Sequence, residues 1–235
     1  MTDLSLAKLP LPRRLNPDQR KKLAVAWGRV QAYGNSLIYG GIVFTSIYLV
    51  MIGLPRVLAE PTGAPFFPDW QYGNWIILLI HVATAIPPLL IGPFAFSKNL
   101  RNKSLKWHRW IGVTYCACIW ISAVTGVMLA TANTRGIIAQ MGFGSLGITW
   151  FTTTWLAYTT ARTKDIVSHR RWMLRSYAVT LAVVSIRPMF LMEIPFGISA
   201  DDWYRLTTWM CWVPNLIIAE IYIRITKPNA RLIYC

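Results

Sequence analysis

The chain has 235 residues, 54% of them apolar and only 14% charged, with twelve Trp and a formal net charge of +15. That is too apolar for an ordinary soluble domain, and its 24 Lys and Arg fall in blocks between apolar runs long enough to span a bilayer. A nucleic-acid partner is excluded on this pattern, because such a protein spreads its basic residues over a soluble face.

Residues 1–34 form a basic N-terminal segment with seven Lys or Arg. Asn16, Pro17 and Asp18 make a good helix start, and Leu23, Ala26, Trp27 and Val30 then repeat at helical spacing. This predicts an amphipathic helix lying on the membrane surface, with a solvated basic tail as the other reading. About thirty polar and basic residues precede the first apolar run and no cleavage signature follows it, so no signal peptide is expected.

Six apolar runs follow, near 35–58, 74–97, 108–131, 136–160, 172–194 and 206–225. Each is long enough, at about 1.5 Å per residue, to cross about 30 Å of hydrocarbon. The fold class is therefore all-α, a polytopic membrane protein with a six-helix transmembrane domain over 35–226 and a short tail over 227–235. Six spans put both termini on one side. Twenty Lys or Arg fall on that side, against Arg56, Arg135 and Arg205 on the other, so the positive-inside rule makes both termini cytoplasmic. The 59–72 loop, with Pro61, Pro65, Pro68, Phe66, Phe67 and Trp70, reads as a compact interfacial loop. Ser199, with Asp202 three residues on, reads as a capping box that starts the last helix.

The groups that carry chemistry are few. Cys116, Cys118, Cys211 and Cys235 offer neither a C-x-x-C pair nor zinc-type spacing and read as small apolar residues. His108 and His169 stand at the cytoplasmic ends of the third and fifth runs, which cross in the same direction. Two imidazoles on parallel helices suit axial haem ligation or a partial metal site, and Arg109, Arg170, Arg171 and Arg175 suit haem propionates. The structural alternative is that these are interfacial residues that set topology. His81 lies some 20 Å away, about seven residues inside the second run from the outer surface. Arg187, at the same depth, and Glu193 complete a second cluster that could bind an anionic or quinone-like headgroup, or relay protons through His81. The alternative there is a brace, with Arg187 on carbonyls freed by Pro87, Pro88 and Pro188. Glu220 and Arg175, at similar depth in the last two runs, predict a structural ion pair. Asn215, after Pro214, reads as interhelical glue.

These residues carry a resemblance. His81, Gly92-Pro93, His108-Arg109 with Gly112 and Tyr115, Gly126, HRRWM at 169–173, RSYA at 175–178 and Arg187 resemble the bacterial predicted-membrane-protein family numbered 2306 among the domains of unknown function. The resemblance covers about 81–188 and implies the bacterial cytoplasmic membrane. It implies no activity. A fold-level likeness to membrane b-type cytochromes implies haem b between His pairs, although the fourth run has no His and leaves at most one pair. Two functional readings follow. One is a redox component that binds haem or a quinone-like lipophilic ligand, and the other is a non-catalytic membrane subunit or small-molecule transporter, with other membrane subunits as partners. No nucleophile triad, phosphate loop or acidic metal motif points to a hydrolase or an ATP-driven pump.

Overall fold

The computed structural model describes Asp18 and residues 75–96, 98–191 and 197–226. The chain divides into two units, 1–45 and 46–235. In the first, Asp18 is helical, and the rest of the predicted surface helix lies outside the described residues, as do the first apolar run and the 59–72 loop.

In the second unit the described residues form α1 (Trp75–Ala95), α2 (Lys98–Lys103), α3 (Leu105–Thr131), α4 (Ile137–Arg162), α5 (Ile166–Thr180), α6 (Ala182–Leu191), α7 (Ala200–Met210) and α8 (Val213–Ile225). No strand occurs among them. Three stretches, Trp75–Ala95, Leu105–Thr131 and Ala200–Ile225, are long and apolar enough to cross a membrane. α4 is equally long, 26 residues or about 39 Å, but its run of threonines (Thr149, Thr152, Thr153, Thr154) lowers its hydropathy. The Thr152, Thr153 and Thr154 hydroxyls bond carbonyls three or four residues back, which lets a polar residue sit in an apolar setting.

Short joints make the helices antiparallel. The α4–α5 joint spends one residue twice. Lys164 takes a left-handed conformation, φ 64°. Its N–H reaches Ala161 O at 3.2 Å and the Asp165 N–H reaches Thr160 O at 2.9 Å, the paired bonds that close a helix C-terminus. Asp165 then caps α5 by accepting from the Ser168 N–H at 3.0 Å. Ser199 likewise caps α7, accepting from the Asp202 N–H at 3.2 Å as expected, and its hydroxyl donates to the Asp202 carboxylate at 2.7 Å in place of the reciprocal backbone bond of a full capping box.

Two of the predicted spans are broken. The run from 172 divides at Leu181, next to Thr180, whose hydroxyl bonds back to Ser176 O at 2.9 Å, and Pro188 withholds an N–H further on. The last run divides at Cys211 and Trp212, because Pro214 has no N–H for Met210 O. Asn215 stitches that break, donating to Cys211 O at 3.0 Å and meeting Ser185 at 2.9 Å, the glue predicted for it.

α1 packs on α3, α3 on α4, and α4 on both α5 and α7, with α8 against α5. Small residues let the backbones approach. A Cβ on Gly147 would fall 3.1 Å from Ala123 O, and one on Gly142 would fall 2.1 Å from the Thr208 hydroxyl. The lipid-facing sides are apolar: Val113, Ile121, Val124 and Met128 on α3 and Ile217, Ile218, Ile221 and Ile225 on α8 are all exposed.

Candidate functional site

Seven residues are nearly two helical turns, so His108, Tyr115 and Ser122 share one stripe of α3. That stripe faces the bundle interior, where Tyr115 and Ser122 are fully buried. On α5, His169 and Ser176 repeat the spacing. Polar groups therefore stack in three layers, beginning at the basic end where α3 and α5 start.

The first layer holds His108 and His169. The His169 Nδ1 lies 2.8 Å from Ala157 O on α4. A carbonyl only accepts, so Nδ1 carries a proton, and in the neutral imidazole Nε2 is the nitrogen with the lone pair. His108 is near enough to His169 and to Arg101 for their charges to act on one another, as Arg101 is to Arg170. His108 Nδ1 and Arg171 Nε are buried and have no hydrogen-bond partner among the described residues. Arg109 and Arg170 are exposed. Beside this layer the Asp165 carboxylate is held below its ordinary value by its hydrogen bonds with Ser168.

The second layer is a hydrogen-bond network not anticipated from the sequence. Thr180 donates to Ser176 O, and Thr154 donates to Trp150 O at 2.8 Å. With those protons used, Ser176 donates to Thr154 at 2.8 Å, and Trp150 Nε1 donates to Thr180 at 2.9 Å. Tyr115 then donates to Ser176 at 3.0 Å or to Thr180 at 3.2 Å. Every donor is satisfied and both chains end on a backbone carbonyl, so this arrangement ties α3, α4 and α5 together and does not conduct protons. The heptad spacing was the available signal.

Next to it, Pro93 has no N–H for Leu89 O, and the Tyr177 hydroxyl, 3.4 Å away, donates to that carbonyl. Gly92 makes the room: a Cβ there would lie 2.2 Å from the Tyr177 ring. The Gly92-Pro93 and RSYA motifs are thus two halves of one α1–α5 contact.

The third layer is His81. Its Nδ1 donates to Ser122 O at 2.8 Å, and Ser122 donates to His81 O at 2.9 Å. Thr125 lies 3.4 Å from the same nitrogen. Ser122 is fourteen residues beyond His108 on α3, so the layers are about 21 Å apart and no single ion is shared. Arg187 is exposed on α6 and is not a hydrogen-bond partner of His81. Glu193 lies outside the described residues.

Arg175, also expected near a cofactor, forms the two-point ion pair predicted with Glu220, through Nε and, at 3.1 Å, through Nη2. Its guanidinium lies 4.4 Å from the Trp172 ring centre. At the far end Arg135 pairs with Asp201 at 2.7 Å and Arg205 Nε donates to Arg135 O at 3.1 Å, clamping the α3–α4 turn to α7, while Arg205 pairs with Asp202 at 3.0 Å within α7. Among the described residues no group of three or more His, Cys, Asp or Glu is placed to hold a metal ion.

No curated protein and no solved structure matches the chain, so the likeness to b-type cytochromes gains no support. The family model described as "Predicted membrane protein (DUF2306)" matches residues 78–223, which take in all three polar layers, the Gly92-Pro93 contact and the Arg175–Glu220 pair. The chain belongs to this family of predicted membrane proteins.

Proposed function

We propose that the protein is a redox component of the bacterial cytoplasmic membrane, with six spans and cytoplasmic termini, that binds a haem b at His108 and His169. The observation that carries this reading is the unmatched state of the first layer. Among the described residues His108 Nδ1 and Arg171 Nε are buried without hydrogen-bond partners, and each such atom costs about 1–3 kcal/mol unless something meets it. Trp120 Nε1 is a third such atom, packed among the rings of Phe151, Trp155 and Tyr158 and outside this layer.

His169 fits axial ligation. Its tie to Ala157 O fixes the ring and leaves Nε2 free to bind iron. Arg171, with Arg101 and Arg170, would meet the propionates, and a haem held there supplies one-electron transfer. His108 fits through whichever nitrogen is unprotonated. Arg175 is committed to Glu220 and takes no part. The quinone-like alternative would use the same cations for its polar head.

The test is the visible spectrum and haem content of the detergent-purified protein. Wild type and His81→Ala should carry haem, whereas His108→Ala and His169→Ala should lose it. A colourless, metal-free protein would favour a non-catalytic membrane subunit or small-molecule transporter.

A further inference from the structure

Between Asp69 and Asp165 the chain has no acidic residue, yet 98–109 carries five Lys or Arg. Among the described residues, ion pairs join Arg135 to Asp201, Arg175 to Glu220 and Arg205 to Asp202. None reaches Lys106 or Arg109. The first turn of α3 has two sides. His108 turns inward and is half-buried, while Lys106, Arg109 and Trp110 share the outer face at i, i+3 and i+4, with Trp107 beside them. Trp107 and Trp110 are 65% and 61% exposed, and a cavity of about 290 Å³ lies against Lys106, Trp107 and Trp110.

We propose that this corner seats one anionic phospholipid of the cytoplasmic leaflet. Lys106 and Arg109 take the phosphate, and Trp107 and Trp110 pack on the glycerol and the first methylenes. Charge complementarity selects this occupant. Among the described residues the corner offers cations without counter-charge and exposed indoles at the basic end of an apolar span, and anionic phospholipid presents negative charge directly above hydrocarbon. The side chains used here point away from the His108–His169 layer, so the inference does not depend on the ligand proposed there.

The experiment uses the full chain in neutral detergent, comparing phosphatidylglycerol, phosphatidylcholine and inorganic phosphate by thermal unfolding and by native mass spectrometry. Phosphatidylglycerol should raise the melting temperature and be retained, with roughly tenfold preference over phosphatidylcholine. The exposed pair Lys106→Gln/Arg109→Gln should keep its lipid-free melting temperature and lose that preference. The control Arg162→Gln/Lys164→Gln, in the next basic turn, should retain it. Equal protection by both lipids, or equal loss in the control, would replace a seat with diffuse surface attraction. Protection by phosphate alone would make it a soluble-anion site. Either result overturns the proposal.

Discussion

The Gly92–Tyr177 contact gives the sharpest prediction. In Gly92→Ala the new Cβ would stand 2.2 Å from Tyr177 Cε2 and 2.6 Å from Cδ2. Carbon atoms rest about 3.5–4.0 Å apart, so the ring must retreat by more than an ångström. It has little freedom to do so, because it is 6% exposed, lies against Phe96 with 5.6 Å between centroids, and holds Leu89 O through its hydroxyl. Overpacking costs about 1–3 kcal/mol. Losing the Leu89 bond adds about 1 kcal/mol, and replacing a helical Gly by Ala returns about 1 kcal/mol. The net is about 1–3 kcal/mol of destabilisation, near 4–8 °C in melting temperature at the middle of that range. Thermal unfolding of the purified protein in mild detergent measures it. In a Tyr177→Ala background the clash is gone, so Gly92→Ala should be neutral or slightly stabilising. An equal loss in both backgrounds would refute the reasoning.

Three further perturbations test other joints. Tyr115→Phe removes one donor from the buried network and should cost about 0.5–1.5 kcal/mol. Thr180→Val should cost more, since it strands the buried Trp150 Nε1 and leaves Tyr115 with Ser176 alone, and unfolding curves that rank the two the other way would contradict the proton order deduced above. Glu220→Gln leaves Arg175, whose side chain is 17% exposed, without its counter-charge, and should cost about 1–3 kcal/mol after allowing for solvent at Glu220. The double variant with Arg175→Met should lose less than the sum. Asp165 has a depressed folded-state value, so its contribution is complete above the unfolded carboxylate value and is lost as pH falls through the folded one. Melting temperature should drop on acidification below about pH 4, and Asp165→Asn, which keeps the cap without the charge, should lack that step.

What the chain disclosed in advance was whatever depends on local pattern. Long apolar runs, the Ser199 start signal, the shared level of His108 and His169, and the matched depth of Arg175 and Glu220 follow from spacing along a helix. The break at Leu181 did not, since it falls next to a threonine bonding its own backbone within an otherwise apolar run. Nor did the Lys164 joint, where a residue with a Cβ takes a conformation usually left to glycine. Tyr115, Trp150, Thr154, Ser176 and Thr180 come from three helices, and only the packing of those helices shows that their hydroxyls meet. The Arg187 and Glu193 cluster illustrates the opposite limit. Equal depth along two helices sets Arg187 level with His81, but depth alone does not specify which faces meet, and Glu193 lies outside the described residues.

Binding of a redox group at the His108–His169 layer, as proposed, is open to a single test, the reduced-minus-oxidised spectrum of membranes holding the full chain. A sharp haem b signal should track expression, persist in His81→Ala, and disappear in His169→Ala with the protein level unchanged. A flat difference spectrum from well-expressed wild-type protein, or a signal unaffected by His169→Ala, would contradict it.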